Sequence, residues 1–217
     1  PPEAYDRRVA AFSTLAIECV AGPDAVILPR IAGLPDDAFS HDGQLTKREV
    51  RAATMALLAP APGALLWDVG AGCGSIAIEW ARAARNARAI CFESNRERCA
   101  MIAENALELG VPQIGIIEGK APGSFGESPA PDAIFIGGGV TEPDLFDTCW
   151  TALKPGARMV ANVVSIEGET RLVELCSSHG GNLTRIAISR GEPLGSMTAF
   201  RPLMPVTQWH CIKPTNG

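Results

Sequence analysis

Histidine is scarce in this sequence: His41, His179 and His210 are the only three, and they lie far apart. No two of the seven cysteines form a C-x-x-C pair. Zinc sites need ligands at short, paired spacings, so no metal site is expected. The cysteines are odd in number, and several sit in apolar runs such as Ala89-Ile90-Cys91-Phe92. They read as buried, reduced thiols of a cytoplasmic protein. No apolar stretch approaches the about 20 residues of a membrane span, and no signal peptide is recognisable, so no membrane partner is expected. Excess basic charge is also lacking. The formal net charge is -5, which argues against a surface built to grip a phosphate backbone, so no nucleic-acid partner is expected either. Internal repeats and low-complexity tracts are absent.

What remains is an ordinary globular composition. The 217 residues are 47% hydrophobic and 20% charged, enough for one core-forming domain. The chain opens Pro1-Pro2-Glu3 without methionine, which suggests a fragment. Residues 1–32 read differently from the rest. Leu15–Val20 and Val26–Leu28 look like short strands about a Gly22-Pro23-Asp24 turn, either a hairpin or the tail of an upstream domain. The main domain is expected over residues 33–217.

From Thr46 the pattern becomes regular. Thr46-Lys47-Arg48-Glu49 fits a capping box, so a helix is predicted from there to Ala59, before Pro60 and Pro62-Gly63. Strands are predicted at Leu65–Val69, Ala89–Phe92, Ile114–Glu118, Ala133–Ile136, Met159–Val164, Leu183–Ile188 and Thr207–Ile212. Helices are predicted at Ser75–Ala84, Arg96–Leu109, Leu145–Leu153 and Glu169–His179. Such alternation implies a parallel sheet covered on both faces. Between Ile188 and Thr207 only loop signals are visible. The last two strands are therefore expected to be antiparallel, giving seven strands with the last reversed.

The chemistry is concentrated in Asp68-Val69-Gly70-Ala71-Gly72-Cys73-Gly74-Ser75, between the first strand and a helix. Glycines there let a ligand approach the backbone, and the helix N-terminus favours an anionic group. The dinucleotide fingerprint G-x-G-x-x-G would require glycine where Ser75 stands. A carboxylate at Asp68 suits a cationic ligand better than a pyrophosphate. S-adenosylmethionine, with its ammonium, sulfonium and carboxylate, matches. Glu93 ends the second strand about 20 residues beyond the first glycine, where an acidic side chain accepts the ribose hydroxyls. Gly119 to Ala121, after the third strand, could offer backbone to an adenine, with an ordinary loop as the alternative. Gly137-Gly138-Gly139 ends the fourth strand at the ligand-binding edge of such sheets. No Pro-Pro-aromatic motif of nucleobase amino-methyltransferases follows it.

Five runs carry a specific resemblance: Gly33–Phe39, His41–Glu49, Leu66–Ser75, Pro131–Gly139 and Pro205–Trp209. From about residue 33 to the end, the chain resembles the C-terminal domain of the precorrin-6Y C5,15-methyltransferases (decarboxylating) of cobalamin biosynthesis. It is also similar to their stand-alone cobalt-precorrin relatives. The resemblance implies a class I S-adenosylmethionine-dependent methyltransferase (Rossmann-like) fold. It implies methylation of C15 of a precorrin macrocycle, with loss of carbon dioxide from the ring C (C12) acetate. C5 methylation belongs to an upstream domain, of which residues 1–32 resemble the tail. The stand-alone relatives imply a homo-oligomer, a tetramer among the options. By motif, Thr46, Gly70, Ala71, Gly72, Cys73, Gly74, Glu93, Ala121 and Gly137 are expected at the cofactor, beside Asp68 and Gly119. Precorrins carry many carboxylates, so Arg190 and Arg201, with Lys120 third, are candidates for substrate binding. Rival readings are a nicotinamide-dependent oxidoreductase, an RNA methyltransferase and a nucleoside-binding module without catalysis.

Overall fold

The computed structural model describes residue 12 and residues 14–215. A seven-stranded sheet organises the chain, in the order β3-β2-β1-β4-β5-β9-β6. Its first five members are parallel: β1 (Leu65–Val69), β2 (Arg88–Glu93), β3 (Gly115–Glu118), β4 (Ala133–Ile136) and β5 (Arg158–Val163). The reversed strand β9 (Val206–Ile212) is inserted between β5 and β6 (Asn182–Ile186) and is antiparallel to both. This is the expected seven-stranded, mostly parallel sheet with its last strand reversed.

Every residue of β1 is buried, as a strand covered on both faces requires. Alternation then sorts the side chains. Leu66, Cys91, Phe135 and Val160 pack on one face, with α1 (Arg48–Leu58), α2 (Ser75–Ala83) and α3 (Arg96–Glu108). Trp67, Phe92, Ile134, Met159 and Trp209 pack on the other, under α4 (Leu145–Ala152) and α5 (Ile166–His179). Among the described residues no helix is long and apolar enough to cross a membrane.

Three expectations fail. Residues 14–32 contain no strand; they hold a turn at Pro23-Asp24, and Leu15, Val20 and Val26 are each more than 80% exposed. A strand needs a partner edge, and among the described residues none pairs with this segment. The stretch read as loop between the last two strands is a hairpin, β7 (Ser189–Leu194) and β8 (Met197–Pro202), turned at Gly195-Ser196. Gly191, Pro193 and Pro202 hid it, because they break strand patterns in general yet are tolerated in a two-stranded ribbon with open edges. The capping box does not form. Lys47 is the N-cap of α1 and its side chain makes no cap. Asp36 caps from outside the local sequence, its Oδ1 accepting the Arg48 N–H at 2.9 Å.

A chain of charges runs from core to hairpin. Arg51 is fully buried and donates through Nε to Glu79 at 2.8 Å, and its Nη1 lies 3.1 Å from Asp36. Asp36 in turn meets Arg190 at 2.8 Å, and Arg190 meets Glu49 at 2.6 Å. Burial raises the Asp36 pKa, but the hydrogen bonds from Arg190 and Arg51 outweigh it and hold the carboxyl below its ordinary range. Arg51 also donates to the carbonyls of Thr46 and Leu34. The strap of residues 33–47 is thereby fastened across α1 and α2.

Candidate functional site

A cavity of about 880 Å³ opens along the carboxyl ends of the parallel strands. It lies where the strand order reverses between β1 and β4, the place where doubly wound sheets bind ligands. The volume is at the upper end of the ~300–1,000 Å³ typical of small-molecule sites.

The glycine turn forms its floor. Gly70 N–H and Ala71 N–H both donate to the Phe92 carbonyl, at 2.9 and 3.3 Å. Gly70 has φ 69°, and a Cβ there would stand 2.9 Å from the Gly138 amide nitrogen. Only glycine lets the first turn and the fourth strand's exit approach so closely. Glu93, nearly buried, reaches across the end of β2. Its Oε2 accepts the Gly72 N–H at 2.9 Å and its Oε1 the Asn95 N–H at 2.9 Å. Each oxygen keeps lone-pair capacity for a ligand. The wall also includes Ser94, Arg98 and the Gly119–Ala121 loop on this side. Gln44 to Lys47 of the strap line it too, running from the glycine turn to the start of α1, which packs on β5 and β4.

The opposite side is less polar. Val50, Ile188, Leu203, Met204 and Val206 line it, with Asn162 between them and the sheet. The Asn162 amide is locked: Nδ2 donates to Thr54 Oγ1 at 2.9 Å, and Oδ1 accepts from Gln208 Nε2 at 2.8 Å. One Asn162 N–H is left over, a fixed donor beside an apolar wall.

Most of the predicted residues line this cavity: Thr46, Gly70, Ala71, Gly72, Cys73, Glu93, Gly119, Lys120, Ala121 and Gly137. Four lie elsewhere. Asp68 is not in the wall. The two-residue period of β1 sends its side chain toward α2 with Leu66, and its Oδ2 accepts the Ala77 N–H at 3.0 Å. Gly74 stands behind the turn, where a Cβ would meet Ile102 of α3 at 2.9 Å, so its role is helix packing. Arg190 is committed to Asp36 and Glu49. Arg201, across the hairpin, faces Glu192 at 3.2 Å and is 71% exposed. Neither arginine lines the cavity; Arg190 sits between two carboxylates that take its donors, and Arg201 stands on the outer, exposed part of the hairpin. The residues missed from sequence are Lys47, Arg98, Asn162 and the hairpin ends Ile188, Leu203 and Met204. Only Asn162 carried a local signal, a polar residue inside the apolar run of β5.

Asp68 has a separate consequence. Burial pushes its pKa up to about 7, with a weaker push from Glu93 and a partial offset from the Ala77 N–H; its Oδ1 is buried without a partner. The folded protein therefore holds a proton between about pH 4 and pH 7 that the unfolded chain has released, and stability falls as pH rises through that window. Asp68→Asn should flatten this dependence between pH 5 and pH 8. Thermal melts of both proteins at the two pH values check it, and equal slopes would refute it.

Comparison with known proteins gives a consistent result. Residues 37–213 match the family model described as the precorrin methyltransferase domain. A Sinorhizobium sp protein named precorrin-6Y C(5,15)-methyltransferase [decarboxylating] is 48% identical over 202 residues, covering 93% of this chain and 49% of that protein. The chain thus spans about half the length of such relatives. A Pyrobaculum calidifontis protein named probable cobalt-precorrin-6B C(15)-methyltransferase (decarboxylating) is 32% identical, over 80% of this chain and 92% of its own length. The crystal structure of the C-terminal domain of precorrin-6Y C5,15-methyltransferase from Rhodobacter capsulatus superposes with TM-score 0.80 at 43% identity, covering 86% of this chain and all of that one.

Proposed function

Because the chain belongs to the precorrin methyltransferase domain family, we propose that it transfers a methyl group from S-adenosylmethionine to C15 of a precorrin macrocycle and releases the ring C acetate carboxyl as carbon dioxide. One observation carries the reading: a single cavity joins a nucleoside-shaped half, at Glu93 and Gly119–Ala121, to an apolar half at Val50, Ile188, Leu203 and Met204. The Pyrobaculum relative supports the assignment to C15, since nearly all of its length is matched and its name gives C15 methylation and decarboxylation alone.

The residues fit S-adenosylmethionine. The close approach of Gly70 to Gly138 leaves the turn bare of side chains, and Glu93 offers two acceptors for ribose hydroxyls. When bound, the cofactor supplies an electrophilic methyl on sulfur. Glu93 and the Gly119–Ala121 loop hold its nucleoside end, and the strap from Gln44 to Thr46 covers it. The apolar half receives the macrocycle and excludes water from its faces. Positioning supplies most of the acceleration of the methyl step, because the ring carbon is already nucleophilic. In the decarboxylation the carbon–carbon electron pair passes into the conjugated ring, the ring takes up a proton, and neutral carbon dioxide departs. A carboxylate against Val50, Leu203 and Met204 is poorly solvated, which favours that departure.

Calorimetric titration with S-adenosylhomocysteine, and with NAD in parallel, tests the cofactor. Mass spectrometry of precorrin-6Y after incubation with S-adenosylmethionine tests the reaction. The expected product has gained one methyl and lost one carbon dioxide. Binding of NAD alone, or an unchanged tetrapyrrole, would remove the proposal.

A further inference from the structure

We propose that Lys47 is the docking point for a peripheral carboxylate of the macrocycle, one that the reaction retains. The inference rests on the precorrin reading and extends it to a residue of this chain. Three cationic side chains line the cavity, Lys47, Arg98 and Lys120. Arg98 is taken by Asp42 at 2.8 Å. Lys120 is taken by Glu142 at 2.8 Å and stands mostly in solvent. Lys47 is half-buried, and among the described residues it alone of the three has no carboxylate at ion-pair distance. A lysine with its stem partly covered and its ammonium without a counterion can receive an anionic group without breaking an existing pair.

Its position points to the substrate and away from the cofactor's nucleoside. Lys47 is the N-cap of α1, the helix whose next turn is gripped by the hairpin through Arg190 and Glu49. Arg190 lies two residues beyond Ile188 of the apolar wall. The same helix anchors Asn162 of β5 through Thr54. Glu93 ends β2, three strands across the sheet from β5 and its Asn162, or about 14 Å at ordinary strand spacing. The partial positive charge of the α1 N-terminus adds to that of the ammonium.

The carboxylate so held is a retained one. A cation beside a carboxylate stabilises the ionised group and opposes loss of carbon dioxide, whereas the apolar wall has the reverse effect. Lys47 and the wall together therefore set the ring's orientation: one acid gripped, another presented dry.

The test compares the intact chain with Lys47→Gln and Lys47→Arg. Among the described residues the Lys47 side chain bonds to no other side chain, so both variants should melt with the parent. Lys47→Gln is expected to raise the KM for precorrin-6Y about 10- to 100-fold, the loss of one charge-assisted contact. Its kcat should change little, and Lys47→Arg should recover most of the loss. The affinity for S-adenosylhomocysteine should stay within about twofold of the parent. An unchanged KM in Lys47→Gln would overturn the inference while leaving the proposed function intact. Weakened S-adenosylhomocysteine binding would overturn it as well, by assigning Lys47 to the cofactor carboxylate. Failure of the parent to turn over precorrin-6Y would bring down the function and this inference together.

Discussion

Glu93→Ala is expected to weaken S-adenosylhomocysteine binding about 100-fold or more, since each hydrogen bond to a charged acceptor contributes ~1.5–3 kcal/mol and two are lost. The carboxylate works on both sides of the cavity wall. Toward the protein it takes the amides of Gly72 and Asn95, so it braces the glycine turn and the start of α3. Toward the ligand it keeps capacity for two hydroxyls. Alanine removes both functions, and the turn is expected to loosen. Glu93→Gln keeps the shape but only one acceptor oxygen, so one of the Gly72 and Asn95 amides faces an NH2 and loses its bond. It is expected to lower the melting temperature less than alanine does and to cost about tenfold in affinity. Calorimetric titration of both variants is the measurement. Parental affinity in both would remove Glu93 from the cofactor site.

The second large effect concerns stability. Glu79→Ala is expected to cost about 3–5 kcal/mol, the range found when one member of a buried ion pair is removed. Glu79 Oε1 takes Arg51 Nε at 2.8 Å and the Leu34 amide at 2.9 Å, and Oε2 takes the Gly33 amide at 2.8 Å. Without it, a fully buried guanidinium stands against Phe39, 4.7 Å from the ring centre, with Asp36 as its remaining carboxylate. The double replacement Arg51→Met/Glu79→Leu should recover part of the loss. It cannot recover all of it, because the Gly33 and Leu34 amides and the Thr46 and Leu34 carbonyls would lose their side-chain partners. Urea unfolding of the parent and the two variants measures this. A loss below about 1 kcal/mol in Glu79→Ala, the level of an exposed pair, would show that the strap is held by other contacts. Since the strap carries Gln44 to Lys47 into the cavity wall, Glu79→Ala should also weaken cofactor binding, though Glu79 lies outside the wall.

The sequence alone determined the alternation of elements, the glycine turn and the acidic end of β2. These are short-range properties. The two-residue period of a covered strand, the helix periodicity and the conformational demands of Gly70 are all settled within a few residues of each position. Even the withdrawal of Asp68 from the cavity follows from the alternation that buries Leu66 beside it. The resemblance of the five runs then supplied the family, which no periodicity could have reached.

Only the tertiary structure decided which charges are spoken for. Arg190 looked available because its partner Glu49 lies 141 residues away, and Asp36 is as remote from it in the chain. Lys47 entered the sequence reading only as part of the Thr46-Lys47-Arg48-Glu49 run. Ion pairing depends on which elements the sheet order brings together, and β9 inserts between β5 and β6, carrying the β7–β8 hairpin back over the start of α1. That placement pairs Arg190 with Asp36 and Glu49, while Arg201 meets Glu192 within the hairpin, and among the described residues Lys47 is left the unpaired cation of the three in the wall. A side chain's charge is written in the sequence, but whether that charge is free to meet a ligand is a matter of distances across the fold.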